Sequence, residues 1–291
     1  MKRLLSALTL LLSLSLIMSQ DYPKKKFYKR EKNAAKIMGR DDRKFGDHSG
    51  NRVLCRFYNH GSIGDQSSSF SGVYPIGSGH SYIWEFSPVV AASVVDTNGF
   101  RRHIVSDGIS GLVDASPEGT PWSFEPLSGY ANPNQENLAM SDNENSWPNS
   151  WPNRTEDWNG EWNGQYGKYV RADQESYFVV DDRYNSEFEF WPDQNDIPED
   201  PTVSPDEHRR GLGIEMEARG YQWNHPAAED IIIVTYWITN VGSSVLDSVV
   251  FGMYGDADIG GASSFSDDDA WFDTENDMVY QWDHDNWSSS Y

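Results

Sequence analysis

Apolar and polar residues along this chain alternate mostly with a period of two, the spacing that turns one face of a β-strand inward and the other outward. Runs of this kind, or continuous apolar runs, predict strands over residues 53–58, 81–86, 89–95, 100–105, 176–180, 212–223, 231–239, 245–254 and 278–282. Turn residues separate them. Asp96-Thr97-Asn98-Gly99 is a hairpin signal, because Asn-Gly accepts the positive φ of a tight turn. Residues 231–239 are apolar on both faces, which predicts a central strand of a packed sheet. Asn240-Val241-Gly242-Ser243-Ser244 then predicts a turn into 245–254 as its antiparallel neighbour. A 3.6-residue period is nearly absent, and only residues 31–38 predict a short helix. The expected fold class is mainly β: an antiparallel β-sandwich with a long Trp/Asn/Pro-rich insertion.

That insertion covers residues 119–167, where Ser146-Trp147-Pro148-Asn149 repeats at once as Ser150-Trp151-Pro152-Asn153, and Trp158-Asn159-Gly160 is echoed by Trp162-Asn163-Gly164. The segment is too aromatic for a disordered linker and too broken for regular structure, so an ordered loop pinned by its tryptophans is expected. Pro192, Pro198, Pro201 and Pro205 punctuate an acidic stretch over 192–207 that reads as an exposed connector. It divides a β-rich region over 50–191 from a second set of strands over 208–291.

Met1-Lys2-Arg3 followed by an apolar run to Ile17 reads as a secretory signal peptide over 1–19, too short an apolar run for a membrane anchor. A basic leader follows over 20–49. Of 23 Lys and Arg residues, 14 lie at or before Arg56, so residues 61–291 carry nine basic side chains against 40 acidic ones. A body this acidic excludes nucleic acid and anionic lipid as natural partners. The single cysteine, Cys55, sits in an apolar run, so no internal disulfide supports the fold and a buried thiol is expected.

The densest chemical signal is Gly255-Asp256-Ala257-Asp258-Ile259-Gly260-Gly261, then Asp267, Asp268, Asp269 and Asp273, with no Lys or Arg from Tyr221 to Tyr291. Carboxylates crowded without counter-charge repel one another unless they splay into water or share a divalent cation. Counted from Asp256, positions 3, 6, 9 and 12 fall on Asp258, Gly261, Ser264 and Asp267, close to the spacing of a calcium loop, with Gly260 and the Asp at position 12 as departures. Ca²⁺ is therefore the expected cofactor, with Asp268, Asp269 and Asp273 supplying further ligands. Asp283-His284-Asp285 reads as a surface turn that could add to the site.

Other chemistry has weaker support. No histidine spacing matches a zinc motif, and no nucleophile elbow or phosphate-binding glycine pattern occurs. Glu215 and Glu217 share one strand face with Arg219, the ordinary arrangement of a wet face rather than two carboxylates across a substrate. Trp147, Trp151, Trp158 and Trp162 could stack on sugars; stapling the loop to the sandwich is the simpler role.

Several long phrases, SWPNSWPNRTEDWNGEWNGQYGK, RRGLGIEMEARGYQWNHPAAEDIIIVTYWITN and VVFGMYGDADIGG among them, resemble stretches of large exported proteins of Gram-negative bacteria that often end in a type IX secretion sorting domain. The resemblance spans roughly residues 50–282. It implies a secreted or cell-surface protein with β-sandwich modules, and, since no sorting domain follows, a reading frame that stops short of one. The expected role is an exported structural or adhesion protein, stabilised by calcium, whose partners are cell-surface or matrix polysaccharide or protein. A secreted hydrolase and a carbohydrate-binding module using the loop tryptophans are the alternatives.

Protein purified from its native host is expected to begin near Gln20 when its N-terminus is sequenced, and recovery of an intact Met1 leader would count against export.

Overall fold

The computed structural model describes residues 42–65, 70–110, 115–117, 122–193, 208–260 and 266–285. Among them run twelve strands: β1 (Phe45–His48), β2 (Cys55–Tyr58), β3 (Glu85–Val95), β4 (Arg101–Asp107), β5 (Glu125–Pro126), β6 (Ala139–Met140), β7 (Gln174–Asp181), β8 (Ile214–Gln222), β9 (Ile233–Asn240), β10 (Asp247–Asp256), β11 (Asp268–Asp273) and β12 (Met278–Asp283). One sheet has the order β5-β7-β8-β9, with β6 also on β7; a second has the order β10-β3-β4. The β1–β2 pair joins the second sheet through single bridges from Ile63 to Phe57 and Phe86. All pairings between strands are antiparallel. The protein is mainly β, as its period of two requires.

The sandwich follows from alternation. Phe178 and Val180 of β7 point with Ile214, Met216 and Ala218 of β8 into a core shared with Val90, Ala92 and Val94 of β3 and Ile104 of β4. Tyr177 and Val179 point the other way, into a second core with Leu127, Tyr130, Trp151 and Trp162 of the insertion. The insertion is thus a lid packed on the outer face of one sheet. Each large apolar side chain buried this way contributes about 1.5–3 kcal/mol.

One close approach locks the first strand onto this sheet. His48 Nε2 lies 2.8 Å from Ser176 Oγ, and its ring packs on Phe57 at 4.4 Å between centroids. Burial pushes the imidazole down to about 3, so it stays neutral in the fold. Gly220 lies beneath: a Cβ there would stand 2.6 Å from His48 Nε2, 2.7 Å from Ser176 Oγ and 2.8 Å from Phe57 Cε2. Only a residue without a side chain fits.

Three expectations change. Strand β1 falls inside the leader expected over 20–49. The chain is already anchored at Asp42 to Lys44, where Asn59 accepts from Lys44 N–H (2.7 Å) and donates to the Asp42 carbonyl (3.0 Å), and Arg43 pairs with Glu125 (2.7 Å). The regions 50–191 and 208–291, which the sequence leaves as one domain or two, share one core, because β7 and β8 pair along their length. The connector between them lies outside the described residues from 194 onward, as do the signal peptide and the helix expected over 31–38.

The third change concerns β9 and β10. They are not hydrogen-bonded neighbours: β9 is an edge of one sheet and β10 an edge of the other. The loop between them is drawn aside before a hairpin can close. Val241 and Gly242 N–H groups donate to the Gly213 carbonyl, and Ser243 and Ser244 N–H groups donate to the Pro192 carbonyl. The chain therefore crosses from sheet to sheet, and Tyr236 meets Phe251 across the gap with ring centroids 5.3 Å apart.

Gly220→Ala is expected to lower unfolding stability in urea by about 1–3 kcal/mol, as overpacked cores do, whereas Gly252→Ala, with open space around its Cβ, changes it by less than about 0.5 kcal/mol. Equal midpoints for the two variants would contradict the close approach.

Candidate cation site

The end of β10 is held firmly. The Asp256 carbonyl accepts from Trp84 N–H (2.9 Å), and its carboxylate accepts from the Tyr254 hydroxyl (2.9 Å). Burial and the Asp256 charge together push that phenol up to about 12. The chain then turns at Gly260, whose φ of +90° suits glycine. Ile259 N–H donates to Asp268 Oδ2 (3.1 Å), which ties the turn to the start of β11.

This fold of the loop sets Asp258 beside Asp256 and Asp268. Asp258 is only 6% exposed, and no described residue donates a hydrogen bond to its carboxylate. Burial, then the charges of Asp256 and Asp268, push its carboxyl up to about 6. Asp268 is raised by burial and by Asp267, Asp283 and Asp256, against the lowering effect of the Ile259 N–H, and its Oδ1 is buried without a hydrogen-bond partner. No Lys or Arg is among the charges acting on either group.

A second acidic group adjoins it: Asp267, Asp283 and Asp285 bring carboxylate oxygens within 4.8 Å of one another. The register of β11 with β12 sets Asp283 opposite Asp268, next in the chain to Asp267. Of the six expected ligands, Asp256 and Asp268 act on Asp258 through their charge, while among the described residues the carboxylates whose oxygens converge within 4.8 Å include Asp267 alone of the six, with Asp283 and Asp285. The other two stand apart. Asp269 faces the opposite side of β11 and pairs with His284 (2.6 Å), which raises that imidazole. Asp273 is at the far end of the hairpin, where it accepts from Asn276 Nδ2 (2.7 Å) and from the Glu275 and Asn276 N–H groups, and these bonds lower its carboxyl. Asp283 and Asp285 are the residues that spacing undervalued; the signal for them was the apolar run of 278–282, which could pair back onto an unrecognised β11. Gly261 and Ser264 of the expected calcium loop lie outside the described residues.

An all-carboxylate donor set with no sulfur or imidazole suits a hard divalent cation such as Ca²⁺ or Mg²⁺ rather than a transition metal.

The other candidate residues have structural partners. Trp162, 2% exposed, donates to Glu175 Oε2 (2.7 Å); Trp151, 3% exposed, donates to the Glu161 carbonyl (3.0 Å); Trp147 donates to the Met140 carbonyl (2.7 Å). Trp158 is half-buried with the Arg154 guanidinium 4.2 Å from its ring centroid. The Trp147 and Trp151 planes tilt 45° and 88° from Trp162, so the four rings make no flat row for a sugar. Glu217 accepts from the Tyr177 hydroxyl (3.1 Å), and Arg209 reaches Glu215 at 3.7 Å. That face is covered by the insertion, with Arg219 stacked 3.8 Å over the Tyr177 centroid, rather than open to water as its i, i+2 spacing implied. Burial pushes the Cys55 thiol up to about 12, which removes it as a nucleophile. No family model, curated protein or solved structure matches this chain.

A carboxyl whose folded value of about 6 exceeds its unfolded value of about 3.9 binds its proton more tightly in the fold. Stability therefore falls as pH rises through that interval, and the loss is complete above pH 6. In metal-free buffer, Asp258→Asn is expected to match the parent below about pH 4 and to exceed it by about 1 kcal/mol above pH 6, once solvent screening is allowed for. Asp182, likewise pushed up to about 6 by burial and Asp181, is common to both proteins and cancels. Urea unfolding at a series of pH values checks this, and a pH-independent difference would contradict it.

Proposed function

We propose that the protein is an exported surface or matrix module whose acidic loop takes up one Ca²⁺ at Asp256, Asp258 and Asp268, as a structural ion and not a catalytic one. The observation that carries the reading is Asp258, a residue 6% exposed whose carboxylate accepts from no described residue and is acted on by the charges of Asp256 and Asp268. Burial of an unpaired charge costs several kcal/mol, and a divalent cation is the partner that turns this repulsion into binding. Asp267 and Asp283 act on Asp268 through their charge and, with Asp285, bring carboxylate oxygens within 4.8 Å of one another, a further source for the six to eight oxygens that calcium accepts. The module's role is then mechanical. The ion joins the end of β10 to the start of β11, two elements that otherwise meet through the Ile259 to Asp268 hydrogen bond.

Export rests on the N-terminal charge and apolar pattern, and it agrees with the chemistry: millimolar free calcium is an extracellular condition, and a chain with a single cysteine needs another staple there. The acidic surface fits adhesion to cationic or cation-bridged polysaccharide or protein in a matrix. Neither alternative has an observation of its own. A hydrolase needs two carboxylates across a groove, and a sugar-binding module needs open coplanar rings.

With a Kd of ~0.1 mM, 1 mM Ca²⁺ stabilises a fold by RT ln(1 + 10), about 1.4 kcal/mol. The parent protein is therefore expected to melt a few degrees higher in calcium than in chelator, and Asp256→Ala combined with Asp258→Ala to abolish that increment while leaving the chelator value unchanged or slightly raised. Equal melting temperatures of the parent in calcium and chelator would sink the proposal.

A further inference from the structure

The side of the sandwich formed by β9 and β10 is open, and its composition indicates what closes it. Each strand is the last of its sheet, so among the described residues no strand pairs with either outer edge. Apolar side chains on both faces of β10 remain in solvent. Phe251 and Met253, on the face toward the core, are 43% and 42% exposed, and Val250, on the outer face, is 61% exposed. Across the gap Tyr236 carries a hydroxyl that is buried without a hydrogen-bond partner. Edge strands of stable sheets are normally short, charged or covered, and β10 is none of these between Val250 and Tyr254.

The border of this surface carries more acidic than basic side chains. Asp247 and Asp256 bracket β10, Glu229 and Asp230 precede β9, and no Lys or Arg occurs beyond Arg219 in the sequence. The arginines that reach the border from elsewhere are already ion-paired, Arg101 with Asp247 (3.2 Å) and Arg52 with Asp230 (2.9 Å). A second copy of this chain would bring the same acidic border against itself. A bulge between Asp247 and Val250, with Ser248 at φ +52°, ends the regular ladder on one side, which leaves residues 250–256 as the stretch able to take a new partner.

We propose that this edge is a strand-docking site: an extended polypeptide segment, apolar on the face toward Phe251 and Met253 and carrying Lys or Arg at its flanks, adds to β10 and continues the β4-β3-β10 sheet. Main-chain hydrogen bonds to the edge supply register-independent affinity, apolar contacts cover the exposed core side, and the basic flanks meet the excess negative charge of the region after Tyr221. The inference shares Asp256 with the cation reading and otherwise rests on the edge of β10, so peptide binding measured in chelator tests it apart from the ion.

The test uses the full chain and two fluorescein-labelled probes, short synthetic peptides in which Val and Thr alternate with Lys in one and with Glu in the other. Fluorescence anisotropy is expected to show the Lys peptide binding at least about tenfold more tightly than the Glu peptide, with the difference shrinking at high salt. Val250→Lys, on an exposed position, is expected to weaken the Lys peptide about fivefold, whereas Val250→Glu leaves it unchanged or tightened. Unaltered thermal unfolding of both variants shows that the fold is intact. Equal affinity for the two peptides, or no effect of Val250→Lys, overturns the proposal. So does sedimentation of the protein alone as a concentration-dependent dimer that Val250→Lys dissolves, because the occupant is then a second copy.

Discussion

Strand β7 has no face in water, and that burial is the constraint around which the described structure is arranged. Its eight residues, Gln174 to Asp181, are all buried, with the sandwich core on one side and the tryptophan insertion on the other. A strand covered on both faces must satisfy every polar group it carries, because a buried group without a partner costs 1–3 kcal/mol or more. Gln174 donates to Asp47 and Asp142, and Glu175 accepts from Arg171 N–H (2.6 Å), Ala172 N–H (3.1 Å) and Trp162. Ser176 meets His48, and Asp181 is gripped by Arg183 and Arg209. The polar side chains of β7 thus dictate where β1, the insertion and the segment before β8 must sit.

Against that background the acidic loop stands out by what it lacks. Asp182 is fully buried, yet accepts from Leu212 N–H (2.6 Å), Ile214 N–H (3.0 Å) and the Ser106 hydroxyl (2.9 Å). Glu85 is equally enclosed and accepts from Ser62, Ser87 and Ser110. Asp258 is 6% exposed, and no described residue donates to its carboxylate. An external cation supplies a partner for it in the proposed reading.

A gradient of closure runs along the chain. From Asp42 to Gln222 most apolar strand residues are buried in one core or the other, with Val95 and Val105 on the β3–β4 hairpin among the exceptions; from β9 onward they come to the surface more often. In the hairpin of β11 and β12, Trp271 and Phe272 are adjacent, so they face opposite sides, and they are 62% and 52% exposed. An isolated two-stranded hairpin is marginally stable in water. The exposed β10 edge and this hairpin together put the unfinished surface of the molecule at its acidic end.

The sequence by itself determined the fold class, most strand positions, the packed role of the tryptophans and the crowding of uncompensated carboxylates. These are local properties: a period of two, turn residues and the absence of Lys and Arg act wherever the strands end up. It did not determine that β9 and β10 belong to different sheets, because alternation reports which face a residue takes and not which strand lies beside it. Hydrogen bonds from residues 241–244 to Gly213 and Pro192 made that choice. Strand β1 was hidden because FGDH is too short and polar to signal a strand; its place comes from pairing with β2 and from the space over Gly220. Six acidic residues looked equivalent as candidate ligands, yet Asp268 and Asp269 face opposite sides of one strand and Asp273 caps its far turn. Spacing along the chain cannot separate them, since the meeting of carboxylates is decided by the register of β11 on β12 and by the turn that returns Ile259 to Asp268.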